Sequence, residues 1–165
     1  MATRGPGLKD RFDPEPFRAE LLAFARRMGP ASEAEDAVQE AFSRALVRPP
    51  SEHPRAWLYR VTLNVLRDRG RREKRFAAAV PSVARTAAPE DPAARAEARD
   101  LAAAAWRVVE ALPEGPRAAV VLRIHHHMEY PEIAAALGCA VATARQQFHL
   151  GVRAVRDALA EKDHA

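Results

Sequence analysis

Four polar side chains recur at Arg60, Asn64, Arg67 and Arg71, at spacings of 4, 3 and 4. On a helix those spacings stack residues along one side. Three guanidinium groups and one amide would then share a single edge. A guanidinium pairs with phosphate oxygens, and an amide both donates to and accepts from a base edge. A second set lies near the C-terminus: Arg145, Gln146, His149, Arg153 and Arg156, with Gln147 on the flank. Arg and Gln can make bidentate bonds to guanine and adenine in the major groove. Both sets suit the holding of nucleic acid rather than bond making. No Ser/His/Asp set, paired carboxylates or phosphate loop stands out, so neither an active site nor a cofactor is expected.

Two tempting features carry less. His125, His126 and His127 are consecutive, and neighbours on a helix point about 100° apart, so they cannot share one ion through helical geometry. They are expected to be solvated histidines at a helix end. Cys139 is the single cysteine, which excludes an intrachain disulfide and a multi-cysteine zinc site. It is expected to be a small packing residue in a turn.

The charge distribution separates two surfaces. Over 165 residues the formal net charge is +4. Residues 55–75 hold eight basic against two acidic side chains, a net of +6, which leaves −2 for the remainder. Residues 33–44 hold Glu33, Glu35, Asp36 and Glu40 against one Arg, a net of −3. Residues 141–156 carry Arg145, Arg153 and Arg156 without an acid. No stretch of 18 apolar residues offers a membrane span. The segment 1–13 lacks the apolar run of a secretory signal. An intracellular protein is expected.

The elements that must position these residues are helices. Ala is abundant and no alternating strand pattern is convincing. Phe17, Leu21, Phe24, Ala25 and Met28 form the first stripe, closed by Gly29-Pro30. A second helix is predicted from about Ser32, as its cap, to Val47, burying Val38, Ala41, Phe42, Ala45 and Leu46. A third runs from about Pro54 to Arg69-Gly70 on Leu58, Val61, Thr62, Val65 and Leu66. The pattern stops from Phe76 to Pro92, where Ala and Pro mark a linker. It resumes over 93–112 with Leu101, Ala105, Val108, Val109 and Leu112. A further helix over about 117–127 places Val120, Val121 and Ile124 inside. From Tyr130 to Leu159 two helices flank a tight turn at Gly138. The second would bury Ala144, Phe148, Val152, Val155 and Leu159. The fold class expected is all-α, in two small domains over 10–76 and 93–162 joined by a flexible linker over 77–92.

The two halves together resemble the extracytoplasmic-function (ECF) group of the sigma-70 family of bacterial transcription initiation factors. The resemblance rests on Ala34-Glu35-Asp36-Ala37-Val38-Gln39-Glu40-Ala41-Phe42-Ser43-Arg44-Ala45, on Pro54-Arg55-Ala56-Trp57-Leu58-Tyr59-Arg60-Val61 with Asn64, and on Leu112-Pro113, Tyr130, Glu132-Ile133-Ala134, Leu137-Gly138, Val141 and Thr143. It covers residues 12–160 or so. It implies that Glu35, Asp36, Gln39 and Glu40 dock on the clamp helices of the polymerase largest subunit, with the flap as a second contact. It implies that Asn64 meets a flipped-out −10 base while Arg60, Arg67 and Arg71 hold phosphates. Trp57 and Tyr59 would stack on unpaired bases, although Trp57 also borders the apolar face. Thr143, Arg145, Gln146, Gln147, His149 and Arg153 would face the −35 element. An anti-sigma factor is a further implied partner, and the protein would work in the cytoplasm, free or held at the membrane by that factor.

Three departures stand out from the family pattern. The connection from Phe42 to Arg55 is short. Ala140 replaces a small polar cap, a loss of about 1 kcal/mol. Gln147 and Leu150 stand where basic residues are common. Two other classes stay open at this level. One is a sigma mimic that sequesters an anti-sigma factor. The other is a plain helix-turn-helix regulator with a helical sensor half.

Overall fold

The computed structural model describes residues 12–77 and 96–162. The expected linker over 77–92 therefore falls, apart from Ala77, outside the described residues, as does most of the segment 1–13. Seven α-helices are described: α1 Arg18–Met28, α2 Ala31–Val47, α3 Pro54–Ala77, α4 Ala96–Ala111, α5 Glu114–Val120, α6 Tyr130–Leu137 and α7 Val141–Lys162. A short 3-10 turn, Glu15–Phe17, leads into α1, and a π turn, Val121–His125, follows α5.

Local chemistry explains most boundaries. Asp13 accepts from the Glu15 amide at 3.0 Å, and α1 ends where the Gly29 amide donates to Ala25. Pro30 then sits at the entry to α2 with no side-chain cap, so Ser32 is inside the helix rather than capping it. The α2 stripe is built from small residues, Ala34, Ala37, Ala41 and Ala45, around Val38 and Phe42. Leu46, expected inside, is exposed. Gly70 does not stop α3, which continues to Ala77. A helical glycine costs only about 1 kcal/mol against Ala, and the residues around it, Arg69, Arg71, Arg72, Glu73, Lys74 and Arg75, include good helix formers.

The largest departure follows α5. The π turn admits one extra residue, and the His126 amide reaches Val121 O at 3.2 Å. The helical phase slips. Ile124, expected inside, is 51% exposed, whereas His126, expected in solvent, is 5% exposed. Leu101 and Val152 also face outward. The place of Val152 in the core is taken by Gly151. A Cβ there would stand 2.5 Å from Val120 Cγ2, so α5 and α7 approach too closely for any side chain. Between α6 and α7, Gly138 adopts φ +68° and ψ +41°, and the Cys139 amide closes back on Ala134 O. Glu129 and Glu132 form a reciprocal capping box at the start of α6.

The two halves are not packed as separate beads. Leu21, Phe24, Leu58, Tyr59 and Leu63 from one share a continuous buried cluster with Leu122, Met128 and Ile133 from the other. Helix α3 lies against α6. The Tyr59 hydroxyl and His126 Nδ1 are 2.8 Å apart, both side chains buried. Phe24 meets the Tyr59 ring edge-on at 4.9 Å. Arg55 binds Glu20 on α1 at 2.8 Å and also donates to the His126 carbonyl at 2.8 Å. Arg117 donates to Met28 O, and the Arg27 guanidinium lies 4.1 Å from the Trp106 ring centroid. Burial, with the charges of His125, Arg55, Arg27 and His127 around it, lowers the His126 pKa from 6.5 to about 4. Tyr59 is pushed above the usual phenol range by the same burial.

Two predictions follow from this packing. Leu122→Ala should cost about 2–5 kcal/mol of stability, and Ile124→Ala about 0.5 kcal/mol or less. Urea unfolding of the two variants checks the register of the π turn. The second concerns pH. Below 6.5 the unfolded chain gains a proton at position 126 that the folded chain refuses. That stability is therefore full above pH 6.5 and is lost toward pH 4, at up to about 1.4 kcal/mol per pH unit. Melting temperatures from pH 7 to 5 should fall less steeply for His126→Asn than for the unchanged chain.

Candidate nucleic-acid interface

Helix α3 carries the first set, and the structure divides it. Arg71 is exposed and pairs with Asp68 one turn back at 2.6 Å, which holds that carboxyl below its ordinary range. Asn64 is half-buried, and its Oδ1 accepts from Arg67 at 3.1 Å. Arg67 forms an ion pair with Glu114 at the start of α5. Arg60 is exposed, yet its guanidinium lies over the turn of the other half. A Cβ on Gly138 would stand 3.0 Å from Arg60 Nη2. The spacing thus does put the four on one side of a helix, and α5 and the α6–α7 turn cover part of it. Tyr59 is a correction: it is fully buried beside His126 and presents no face to a base in this arrangement. Trp57 is half-buried. It lines a groove of about 520 Å³ with Val47, Arg48 and Val61.

Helix α2 presents Glu35, Asp36 and Gln39 to solvent, with Glu40 half-buried. Its acids are less bare than the net of −3 implies. Glu40 pairs with Arg44 at 2.8 Å, Asp36 with Arg69 at 3.3 Å, and Glu35 with Arg26 at 3.8 Å. All are partly or fully exposed pairs, worth 0–1 kcal/mol or so each, and are readily exchanged for an external cation.

Helix α7 carries the second set. Arg145, Gln146 and His149 are exposed in its first half, Arg153 is exposed near its middle, and Thr143 is half-buried. Gln147 turns toward α5, where a Cβ on Gly115 would lie 2.7 Å from its Oε1. It is therefore a packing residue as much as a surface one. The Arg145 guanidinium lies 5.2 Å from the Tyr130 ring centroid, with Arg123 at 5.1 Å from the same ring. Stacking fixes where Arg145 leaves the surface. Arg153 and Arg156 share Asp157 at 3.5 and 3.4 Å. Behind the set, α4, α5 and α7 enclose an apolar groove of about 500 Å³ lined by Trp106, Val109, Val120, Ile124, Val152 and Leu159.

Among the described residues no group of three His, Cys, Asp or Glu could hold a metal ion. Sequence reasoning missed the residues of the seam: Glu20, Arg55, Glu114 and His126. Arg55 and His126 are 71 positions apart, and no periodicity links them. The one available signal was the break in apolar phase after Val121.

The family model described as Sigma-70 region 2 matches residues 15–76, and that described as Sigma-70, region 4 matches residues 102–155. The ECF RNA polymerase sigma factor SigE of Mycolicibacterium smegmatis is 35% identical over 150 residues, covering 87% of this chain and 58% of that protein. SigL of Mycobacterium tuberculosis is 34% identical over 154 residues, covering 87% of this chain and 84% of its own. The chain thus spans little more than half of SigE but most of SigL. A solved structure of the sigma factor RpoE from Bartonella quintana, in complex with the anti-sigma factor NepR, shares the fold. Its TM-score is 0.69 at 21% identity, over 88% of this chain and 93% of that one. Two sigma-70 regions in order, and SigL as a relative over most of its length, establish that this chain belongs to the ECF RNA polymerase sigma factors.

Proposed function

We propose that this chain binds core RNA polymerase and directs promoter-specific initiation, reading a −35 element with α7 and a melted −10 strand with α3. The observation that carries this is the pairing, on one chain, of the Arg60/Asn64/Arg67/Arg71 edge with a helix-turn-helix whose second helix exposes Arg145, Gln146 and His149 near its N-terminal end. That end is the part of such a motif that enters the major groove. Residues 10–76 form the polymerase and −10 unit, and residues 93–162 the −35 unit.

The roles follow from chemistry. Glu35, Asp36, Gln39 and Glu40 meet basic clamp helices by exchanging Arg26, Arg69 and Arg44 for external cations. Asn64 reads a displaced base with its amide, and Arg60, Arg67 and Arg71 hold phosphates on either side. Trp57 offers a ring edge beside that strand. Tyr59 is assigned to the packing of the two halves instead. Arg145 and Gln146 read −35 base edges. Thr143, His149 and Arg153 position the duplex, and Gln147 supports α7 from behind. The apolar groove of α4, α5 and α7 suits the flap of the polymerase, with an anti-sigma factor as a competitor for exposed surface. The chain supplies recognition, and nucleotide addition stays with the polymerase. It therefore acts where the polymerase does, in the cytoplasm, and no described helix is long and apolar enough to cross a membrane.

Reconstituted transcription is the direct test. With core polymerase the chain should initiate at a subset of promoters of its genome. Absence of any complex with core polymerase would favour the plain helix-turn-helix regulator. Within the active complex, Asn64→Ala should reduce open-complex formation at least tenfold while leaving polymerase affinity within about twofold. Arg145→Ala should relax one −35 position by about 1–3 kcal/mol. Arg71→Ala should lower the slope of log K against log salt by about 0.7–0.9 without altering sequence preference.

A further inference from the structure

Leu150 sits on the outer side of α7 and is 48% exposed. A single exposed leucine is ordinary on a protein surface and needs no partner. Its setting singles it out. Among the exposed large apolar side chains, Val47 lines the groove beside Trp57, and Ile124 and Val152 line the groove of α4, α5 and α7. Leu150 lines neither groove. It stands instead among the polar side chains of the second reading set.

Gln146, His149, Leu150 and Arg153 fall at i, i+3, i+4 and i+7, and all four are exposed. Ala144 and Gly151 are buried on the opposite side of the helix, Gly151 close against Val120 of α5. The four therefore share the face that points away from the domain. Positions spaced in this way are those with which the third helix of a homeodomain reads the major groove. No acid occurs over residues 141–156, and Asp157 just beyond them is shared by Arg153 and Arg156. Such a face suits a polyanion. A protein that docked through Leu150 would want apolar neighbours around it, and Gln146, His149 and Arg153 are polar.

The major groove itself offers one apolar group, the 5-methyl of thymine. Leucine can neither donate nor accept a hydrogen bond, so it adds nothing to phosphate binding. What it can do is discriminate. Against thymine it buries a methyl group. Against cytosine it would cover an amino donor that it cannot satisfy. Gln146 lies one turn earlier and can pair both groups of an adenine edge. Residues four apart on a helix are about 6 Å apart along its axis, which spans no more than two base steps of about 3.4 Å.

We propose that Leu150 packs on the methyl group of a thymine in the −35 element, within two base pairs of the adenine that Gln146 pairs, so that α7 selects neighbouring A·T pairs there. The proposal rests on the sigma-factor function argued above.

Deleting the methyl group from the DNA tests it. The complex of the full chain with core polymerase is bound to a promoter duplex from which it initiates. Each −35 thymine, on either strand, is replaced in turn by deoxyuridine, which keeps every hydrogen-bonding group and lacks only the methyl. One such replacement should weaken binding about fourfold, the effect of one methyl left unburied. With Leu150→Ala the thymine and uracil duplexes should bind alike at that position. Leu150→Met should restore the difference. A loss of folding in Leu150→Ala would show as a lower melting temperature, and none is expected at so exposed a side chain. Equal uracil effects in the unchanged chain and Leu150→Ala, no uracil effect at any −35 thymine, or a −35 element without thymine overturns the contact. Failure of the chain to initiate with core polymerase at any promoter overturns the sigma-factor function instead.

Discussion

Helix α3 is the constraint on which the described fold depends, because one element of 24 residues must satisfy three surfaces. Leu58, Val61, Thr62, Val65 and Leu66 are buried, and α3 packs against both α1 and α2 to complete the first half. Tyr59 and Leu63 belong to the same buried cluster as Met128 and Ile133, and Tyr59 reaches His126 of the second half. The remaining strip carries Arg60, Asn64, Arg67 and Arg71. Its first three turns are largely covered, whereas Asp68, Arg71, Arg72 and Glu73 beyond them are exposed. Any change in its rotation would move core, seam and nucleic-acid edge together.

Electrostatics is arranged on the same principle of shared partners. The exposed acids of α2 and several arginines of α3 and α7 have an internal partner within 4 Å. Pairs at these exposures contribute little to folding. They keep the basic and acidic faces from closing on each other elsewhere, and they release either face to a stronger partner with little loss. Phosphate is such a partner, since displaced counterions add an entropic gain that an internal carboxylate lacks. The same pairs, with Arg55 to Glu20, Arg67 to Glu114, Arg69 to Asp36 and Arg71 to Asp68, offset part of the positive charge of α3.

Much of the fold is legible in the residues. Gly29-Pro30, Pro113 and Gly138 mark ends that local backbone chemistry enforces, and the α1 and α3 stripes are buried as periodicity requires. The errors are instructive. Leu46, Leu101 and Val152 obey helical spacing yet face outward, because spacing names a side of a helix but not whether a neighbour covers it. Ile124 and His126 exchange places because the π turn inserts a residue, and no composition rule announces that insertion. Ser32 is a good capping type, but Pro30 had already started the helix.

The site divides in the same way. By itself the sequence determined the helical class, the order of the two units, the one-sided spacing of Arg60, Asn64, Arg67 and Arg71, and the helix-turn-helix with Arg145 and Gln146 at its reading end. These depend on contacts within about four residues, where backbone geometry alone sets the outcome. Only the tertiary structure decided that Tyr59 is buried, that Glu114 occupies Arg67, and that His126 enters the core with one ring nitrogen paired and the other left alone. Those outcomes join residues 47 to 71 positions apart. They are selected by the packing of whole helices, for which spacing along the chain carries no information.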